Sequence, residues 1–400
     1  MLAKDRIGIM GGSFNPIHDR HLDMAECALK EGSLSRVLFI PTGNPPHKHD
    51  ELAPAEHRFE MTRLALMGKH YLTPSRIELD RPGMIYTVDT LSQLHAQFFN
   101  TEFFYIIGED TLLDLPNWRS ADKVFSLCSF LVCRRSTQDI TAHPLYAQLQ
   151  QRGAKFHQLS LPPMDISATA IRETLAEGKE PTTLAPQVME YIRIMGLYGV
   201  PPSPEEGERI YPILRQALSD RRLSHSISTA YAARQLARKH HLNENAAALA
   251  GLLHDCAKCM TLLQLQSIAK EHRLLLDKET MQSANLLHGP VGAVLAESVY
   301  GIRNPNILSA IACHTMGKVG MLPLDMILYL ADKIEPSRRS YPALEKTRAL
   351  ADFNLIAAMH QSLLSTIDYL SAQKISPHAT TKRVADWLGR LETQENQRSE

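Results

Sequence analysis

Two groups of residues in this 400-residue chain have types and spacings suited to phosphate chemistry. The first is Gly11-Gly12-Ser13-Phe14-Asn15-Pro16-Ile17-His18-Asp19-Arg20-His21-Leu22, directly after an apolar β-type run at 6–10. A strand, a Gly-Gly turn and a helix opening near residue 20 would aim backbone N–H groups at an anion such as a phosphate. His18 and His21, three apart at the helix start, can share a face and donate to the same oxygens. The glycines alone would read as a tight turn and nothing more. The second group is His254-Asp255 at the end of an apolar run, in company with His225, His288, His314 and Asp332. Each follows or interrupts an apolar helical stretch, where a buried imidazole or carboxylate is costly unless paired or bound to metal. Helices that each supply one ligand are how metal sites in bundles are built.

The elements that must position these groups change character near residue 200. Before it, β-type runs at 6–10, 36–40, 103–108 and 125–133 alternate with helical spacing at 22–30, 56–67 and 88–98. That alternation predicts an α/β, Rossmann-like domain with a parallel sheet. After residue 209, helical patterns dominate at 210–240, 244–253 and 324–334, predicting an all-α domain. The stretch 200–208, VPPSPEEGE, reads as a linker. The expected organisation is a domain over 1–199, the linker, a helical domain over 209–390 and a polar, frayed tail over 391–400. Leu344, Leu350, Leu355, Met359 and Leu363 would close the second core.

Composition narrows the setting. Lys+Arg and Asp+Glu balance at 43 each, so the chain has no bulk field for nucleic acid or an anionic membrane. No apolar run approaches the ~20 residues of a membrane span. Six cysteines (Cys27, Cys128, Cys133, Cys256, Cys259 and Cys313) are too sparse for a disulfide framework, and a reducing cytoplasm is the expected home. Cys256-x-x-Cys259 lacks the second pair of a zinc site and the βαβ setting of a redox motif, so these thiols read as structural. The sequence leaves a homo-oligomer open.

The motifs carry resemblances. GGSFNPIHDRHL (11–22) resembles the signature of the HxGH nucleotidyltransferases, and DISATAIR (165–172) their late ISxTxIR element. Asn44-Pro45-Pro46-His47-Lys48, Tyr86-Thr87-Val88-Asp89-Thr90-Leu91, Gly108-Glu109-Asp110 and Trp118 narrow this to the bacterial nicotinate-nucleotide adenylyltransferases, over roughly 5–200. The resemblance implies transfer of AMP from ATP, with Mg2+, to nicotinate mononucleotide, releasing pyrophosphate. It implies that Gly12, Ser13 and Phe14 form the phosphate turn and that His18 and His21 steady the triphosphate. Ser167, Thr169 and Arg172 would hold the outer phosphates, with Lys48 as a further cation and Asp110 facing the nucleotide. Trp118 would stack on the pyridine ring, with Tyr86 and Thr87 near its carboxylate; from spacing alone, Trp118 fits a core aromatic equally well. Where the family motif has glycine this chain has Arg20, which could clash with a phosphate, add a charge-assisted contact, or at a helical position turn its side chain away, and it is read here as tolerated. A different acceptor, such as nicotinamide mononucleotide, or a silent nucleotide-sensing first half are the alternatives.

The order His225, His254-Asp255, His288, His314, Asp332 resembles the HD-domain phosphohydrolases. The strings LLHDCAK, LLHGPVG, HTMGK and ADKIEPSR narrow it to the YqeK type, over roughly 209–340. This implies symmetrical hydrolysis of diadenosine tetraphosphate to two ADP at a two-metal centre of iron or manganese. His225, His254, Asp255 and Asp332 would hold one metal; His288 and His314 would complete a second, with Asp255 bridging. Lys258 would neutralise a phosphate oxygen and Arg338 would hold the distal phosphates.

Overall fold

The computed structural model describes residues 4–43, 52–133, 143–162 and 166–399. They form two compact units, residues 1–189 with 197–200, and residues 190–196 with 201–400.

The first unit is built on a six-stranded sheet of order β3-β2-β1-β4-β5-β6, parallel throughout. The strands are β1 Asp5–Gly12, β2 Arg36–Pro41, β3 Leu72–Pro74, β4 Thr101–Gly108, β5 Ser129–Cys133 and β6 Phe156–Leu159. A parallel sheet is covered on both faces, so its central strands run apolar without alternation. Ile7, Ile9 and Met10 of β1 and 103–107 of β4 are accordingly buried. The run at 125–133 divides: Ala121–Leu127 is helical and only 129–133 is strand. The shorter strands β3 and β6 carry no period long enough to read from sequence. The helix after β1, Asp19–Glu31, starts with His18 as its extended N-cap.

Among the described residues the regular elements of the second unit are all helices. The pattern at 210–240 is two helices, Gly207–Ala217 and Asp220–Lys239, because Ser219 turns extended and its hydroxyl caps the second. Asn243 caps Glu244–Leu253 in the same way, and Asn304 caps Pro305–Cys313. A Cβ on Gly251 would lie 2.7 Å from the Cα of Ala230, so only glycine lets these two helices meet backbone to backbone. The consequence is local: the His225 and His254 rings come to 5.2 Å of each other. Helices Pro342–Ala351, Leu355–Ala372 and Ala379–Ser399 follow Pro323–Ile334. Met359, Leu363, Val384 and Leu388 pack on Ile327 and Leu330 in one core, each such side chain contributing ~1.5–3 kcal/mol by burial. The last helix continues through Ser399, although 391–400 is polar enough to suggest a frayed tail.

Candidate active sites

A cavity of about 800 Å³ opens at the carboxyl ends of β1, β4 and β5 in the first unit. From β1 the strand order runs to β2 and β3 on one side and to β4 on the other, and such switch points are where open parallel sheets bind ligands. The cavity gathers Ser13, His18, His21, Asp110, Trp118, Ser167, Thr169 and Arg172 on one wall system. Gly12, Phe14, Tyr86 and Thr87 are not on that wall. Phe14 packs edge-on against His21 at 5.0 Å, and Tyr86 lies under the Arg119 guanidinium. Lys48 falls outside the described residues.

Local chemistry fixes the two histidines. The His18 backbone N–H donates to Nδ1 of His21 at 3.3 Å, and their rings stack at 3.8 Å. Burial, reinforced by the adjacent His18 ring, holds His21 well below the ordinary imidazole value. His21 is therefore neutral, and with Nδ1 accepting, its proton sits on Nε2. Trp118 meets Tyr105 edge to face at 5.7 Å on the cavity wall, so it is both packed and available. Ser167 caps the Ala168–Ala176 helix through the N–H of Ala170, and Arg172 reaches back to donate to the carbonyl of Asn15 at 3.0 Å. That bond ties the late motif to the first turn.

Two arginines here differ from expectation. Arg20 does not turn away: it is buried, lines the cavity, and donates through Nη1 to the carbonyl of Pro162 at 2.8 Å. Arg58, which no motif singled out, is 2% exposed and holds the turn by its backbone. Its guanidinium donates to the carbonyls of Ser13 (2.8 Å), Thr42 (2.7 Å) and Ala53 (2.9 Å). A planar guanidinium with five donors suits several carbonyls at once, and nothing in the spacing of Arg58 announces it.

In the second unit the six candidate ligands converge from the ends and middles of five helices. His225 Nε2 lies 2.9 Å from Asp332 Oδ1, and His254 Nε2 lies 3.8 Å from the same oxygen and 3.7 Å from Asp255 Oδ2. On the other side, Asp255 Oδ1 is 3.1 Å from His288 Nε2 and 3.9 Å from His314 Nε2. Donor atoms of His225, His254 and Asp332 form one cluster within 4.8 Å, and those of His254, Asp255 and His314 another. Asp255 thus presents one oxygen to each side.

The imidazole tautomers test whether a cation fits. His254, His288 and His314 each place Nδ1 on a backbone carbonyl, of Gly251, Ala284 and Ile311, at 2.7–3.2 Å. At His254 and His314 Nδ1 carries the proton, which leaves each Nε2 as a lone pair facing inward, whereas His288 Nδ1 also lies 3.4 Å from the Lys258 ammonium. His254 Nε2 is buried with no hydrogen-bond partner, and the Nε2 atoms of His288 and His314 are 3.1 Å apart. Two imidazole nitrogens at that distance beside a carboxylate suit a cation between them. Burial, with the neighbouring rings, lowers His254 and pushes His314 down to about 3. Burial disfavours the charge of Asp255 and Asp332, yet nearby cationic and imidazole groups hold both carboxyls well below the usual range.

Three flanking groups complete the site. Glu335, which sequence reasoning missed, is buried and takes Nδ1 of His225 at 3.3 Å, the hydroxyl of Ser228 at 2.6 Å and the N–H of Ser337 at 2.6 Å. Burial opposes protonation of His225, but its bonds to Asp332 and Glu335 prevail and raise it to about 9. Lys258 Nζ is 3.3 Å from Asn285 Oδ1 and 3.4 Å from His288 Nδ1, with burial lowering its pKa. Arg338 donates to Asp332 Oδ1 at 3.0 Å. The thiols of Cys256 and Cys313 are pushed up to about 12 by burial, and Cys259 is exposed.

Residues 9–174 match the cytidylyltransferase-like family and residues 222–337 the HD domain. The "Probable nicotinate-nucleotide adenylyltransferase" of Thermomicrobium roseum is 37% identical over 195 residues, 48% of this chain and 91% of its own. The "Probable nicotinate-nucleotide adenylyltransferase/Ap4A hydrolase" of Mycoplasma genitalium is 28% identical over 337 residues, 84% of this chain and 89% of its own. Among solved structures, a "predicted HD superfamily hydrolase involved in NAD metabolism" from Clostridium acetobutylicum is 32% identical, covering 45% of this chain and 95% of that one, with a TM-score of 0.44. Among the described residues no helix is long and apolar enough to cross a membrane. With matches of this identity and coverage falling on the cavity-bearing unit, and the HD match falling on the histidine cluster, the chain belongs to the nicotinate-nucleotide adenylyltransferase family and carries an HD domain in its C-terminal half.

Proposed function

We propose that this is a bifunctional enzyme. One site transfers AMP from ATP to nicotinate mononucleotide, and the other hydrolyses diadenosine tetraphosphate to two ADP. The observation that carries the reading is that one chain builds both a switch-point cavity with paired histidines and a six-donor cation cluster, as the names of its full-length relatives suggest.

At the first site the 5′-phosphate oxygen of the mononucleotide attacks the α-phosphorus of ATP, the α–β bridging P–O bond breaks, and pyrophosphate leaves. Such transfers need positioning and charge neutralisation more than a covalent nucleophile. His21, neutral and protonated at Nε2, donates to the triphosphate, with His18 stacked beside it. Arg172, Ser167 and Thr169 hold the outer phosphates, with Lys48 as a further cation, and Mg2+ enters with ATP as part of the substrate. Trp118 stacks on the pyridine ring and Asp110 faces the nucleotide.

At the second site, His225, His254, Asp255 and Asp332 would hold one cation and His288, His314 and Asp255 a second. Imidazole plus carboxylate donors suit iron or manganese, and such a pair supplies Lewis acidity and acidifies water at neutral pH. Lys258 places positive charge beside the attacked phosphate, and Arg338 grips the distal ones.

Pyrophosphate release from ATP, with nicotinate and nicotinamide mononucleotides compared, and ADP formation from diadenosine tetraphosphate test both halves. A clear preference for the nicotinate form and two ADP per tetraphosphate are expected. No release with either mononucleotide would make the first unit a nucleotide sensor, and unequal products would remove the symmetrical hydrolysis.

A further inference from the structure

The cluster of histidines and carboxylates has a cationic partner that the mechanism above does not use. Arg222 stands one turn before His225 on the same helix face and donates through Nη1 to Asp255 Oδ2 at 3.0 Å. Arg338 does the equivalent on the opposite carboxylate, donating to Asp332 Oδ1 at 3.0 Å. These two oxygens are the ones that face His254, at 3.7 and 3.8 Å. A cation shared by His225, His254, Asp255 and Asp332 would need both. The remaining oxygens are engaged elsewhere: Asp255 Oδ1 faces His288 and His314, and Asp332 Oδ2 faces Lys333 at 3.7 Å.

A guanidinium and a divalent ion within about 3–4 Å of each other repel strongly where solvent is scarce. They cannot both hold these oxygens well. The two arginine side chains are 40% and 44% exposed while their carboxylates are nearly buried, so the arginines are the groups with room to leave. Once displaced, Arg222 remains tethered at the rim with five donors in the fork geometry that suits phosphate oxygens, and Arg338, still held by Nε and Nη2 on the Asp332 carbonyl, keeps its remaining donors for them.

We propose that Arg222, with Arg338, is a stand-in for the metal: each guanidinium occupies a carboxylate oxygen that the incoming cation takes over, and is thereby released to grip the polyphosphate. Metal binding and substrate binding are coupled by this exchange. Without metal, the carboxylates are neutralised and the arginines are unavailable to phosphate. The inference rests on the second unit being a metal-dependent phosphohydrolase and adds a binding residue, Arg222, and an order of assembly to it.

The test is calorimetric titration of Mn2+ into the metal-free full-length protein, wild type against Arg222→Gln, followed by titration of ADP into each Mn2+-loaded form. Arg222→Gln should bind Mn2+ about fivefold more tightly, since a half-exposed ion pair no longer competes. The loaded variant should bind ADP about tenfold more weakly, having lost a charged hydrogen bond. Arg222→Lys, which keeps the charge but loses the fork, should fall between in both titrations and carries the comparison if the glutamine variant does not fold. Mn2+ affinity equal to or weaker than wild type in a folded variant overturns the inference, as does unchanged ADP affinity. Asp255→Ala separates the two levels: if wild type and Asp255→Ala bind Mn2+ alike, the metal centre itself is misassigned.

Discussion

Gly11 offers a prediction whose magnitude can be worked from geometry. A Cβ there would stand 2.1 Å from the hydroxyl oxygen of Tyr105, 3.1 Å from its Cζ and 3.7 Å from its Cε1. Contact distances are nearer 3.5 Å, so in Gly11→Ala the tyrosine must retreat by more than an ångström. Its ring is rigid and buried, and its hydroxyl is bonded to Thr87. Overpacking of this kind costs ~1–3 kcal/mol, and loosening the Thr87 bond adds ~1 kcal/mol. Spread over a unit of this size, the loss should lower its melting transition by roughly 5–10 °C. Trp118 leans on the same ring, so the KM for the mononucleotide should rise while cleavage of diadenosine tetraphosphate is unaffected. Scanning calorimetry, resolving the two units, and pyrophosphate release measure these. The decisive arm is Gly11→Ala with Tyr105→Phe, which deletes the atom at 2.1 Å and leaves a ring carbon at 3.1 Å as the nearest contact. The second change should restore at least half of the loss, a favourable coupling of ~1–2 kcal/mol. Strict additivity of the two substitutions, or an unperturbed Gly11→Ala, would refute the reasoning.

Three further outcomes are expected. His18→Ala should abolish pyrophosphate release and spare the hydrolase, and Asp255→Ala should do the reverse and lose bound metal by elemental analysis; a single variant that removes both activities while remaining folded would end the two-site reading. Glu335→Gln should leave His225 less firmly oriented, lowering metal affinity on the order of 10–100-fold in a Mn2+ titration, and unchanged affinity would make Glu335 a packing residue only. The metal-free second unit should be most stable near pH 6.5. His314, depressed to about 3, contributes stability that is fully present above its unfolded value of 6.5 and is lost as pH falls below it. His225, raised to about 9, contributes stability that is present below 6.5 and is lost as pH rises through 9. A melting temperature that climbs steadily between pH 6.5 and 9 would contradict the His225–Asp332–Glu335 arrangement.

What was legible in the sequence was whatever leaves a period or a fixed spacing. The helices at 244–253 and 323–334 carry long apolar stripes, and the strands of 36–41 and 101–108 contain the apolar runs VLFI and FFYII. The paired histidines of the first turn and the ordered ligands of the second unit stood out as polar groups in apolar company. The run at 125–133 was ambiguous because apolar residues suit a buried helix and a buried strand equally, and the Cys128 N–H bond to Val124 decides for helix up to that point. The break at Leu218 is a capping event by Ser219 inside an otherwise continuous pattern. Arg58, Arg222 and Glu335 were invisible for another reason. Arg58 holds the carbonyls of Ser13 and Thr42, Arg222 the carboxylate of Asp255, and Glu335 the His225 ring and the Ser228 hydroxyl, and such long-range pairings have no linear signature.

The way the chain crosses from one unit to the other limits how it could be divided. Glu190, fully buried, belongs to the second unit, where it accepts from Arg234 at 2.8 and 3.0 Å, while Tyr198, later in sequence, belongs to the first and donates to Asn15 at 2.9 Å. Severing the chain before 190 takes Tyr198 from the phosphate turn; severing it after 200 strands a buried arginine, at ~3–5 kcal/mol. No scissile point between these positions leaves both fragments whole. A cut anywhere in this stretch therefore deprives one unit or the other of a polar partner that its own residues supply.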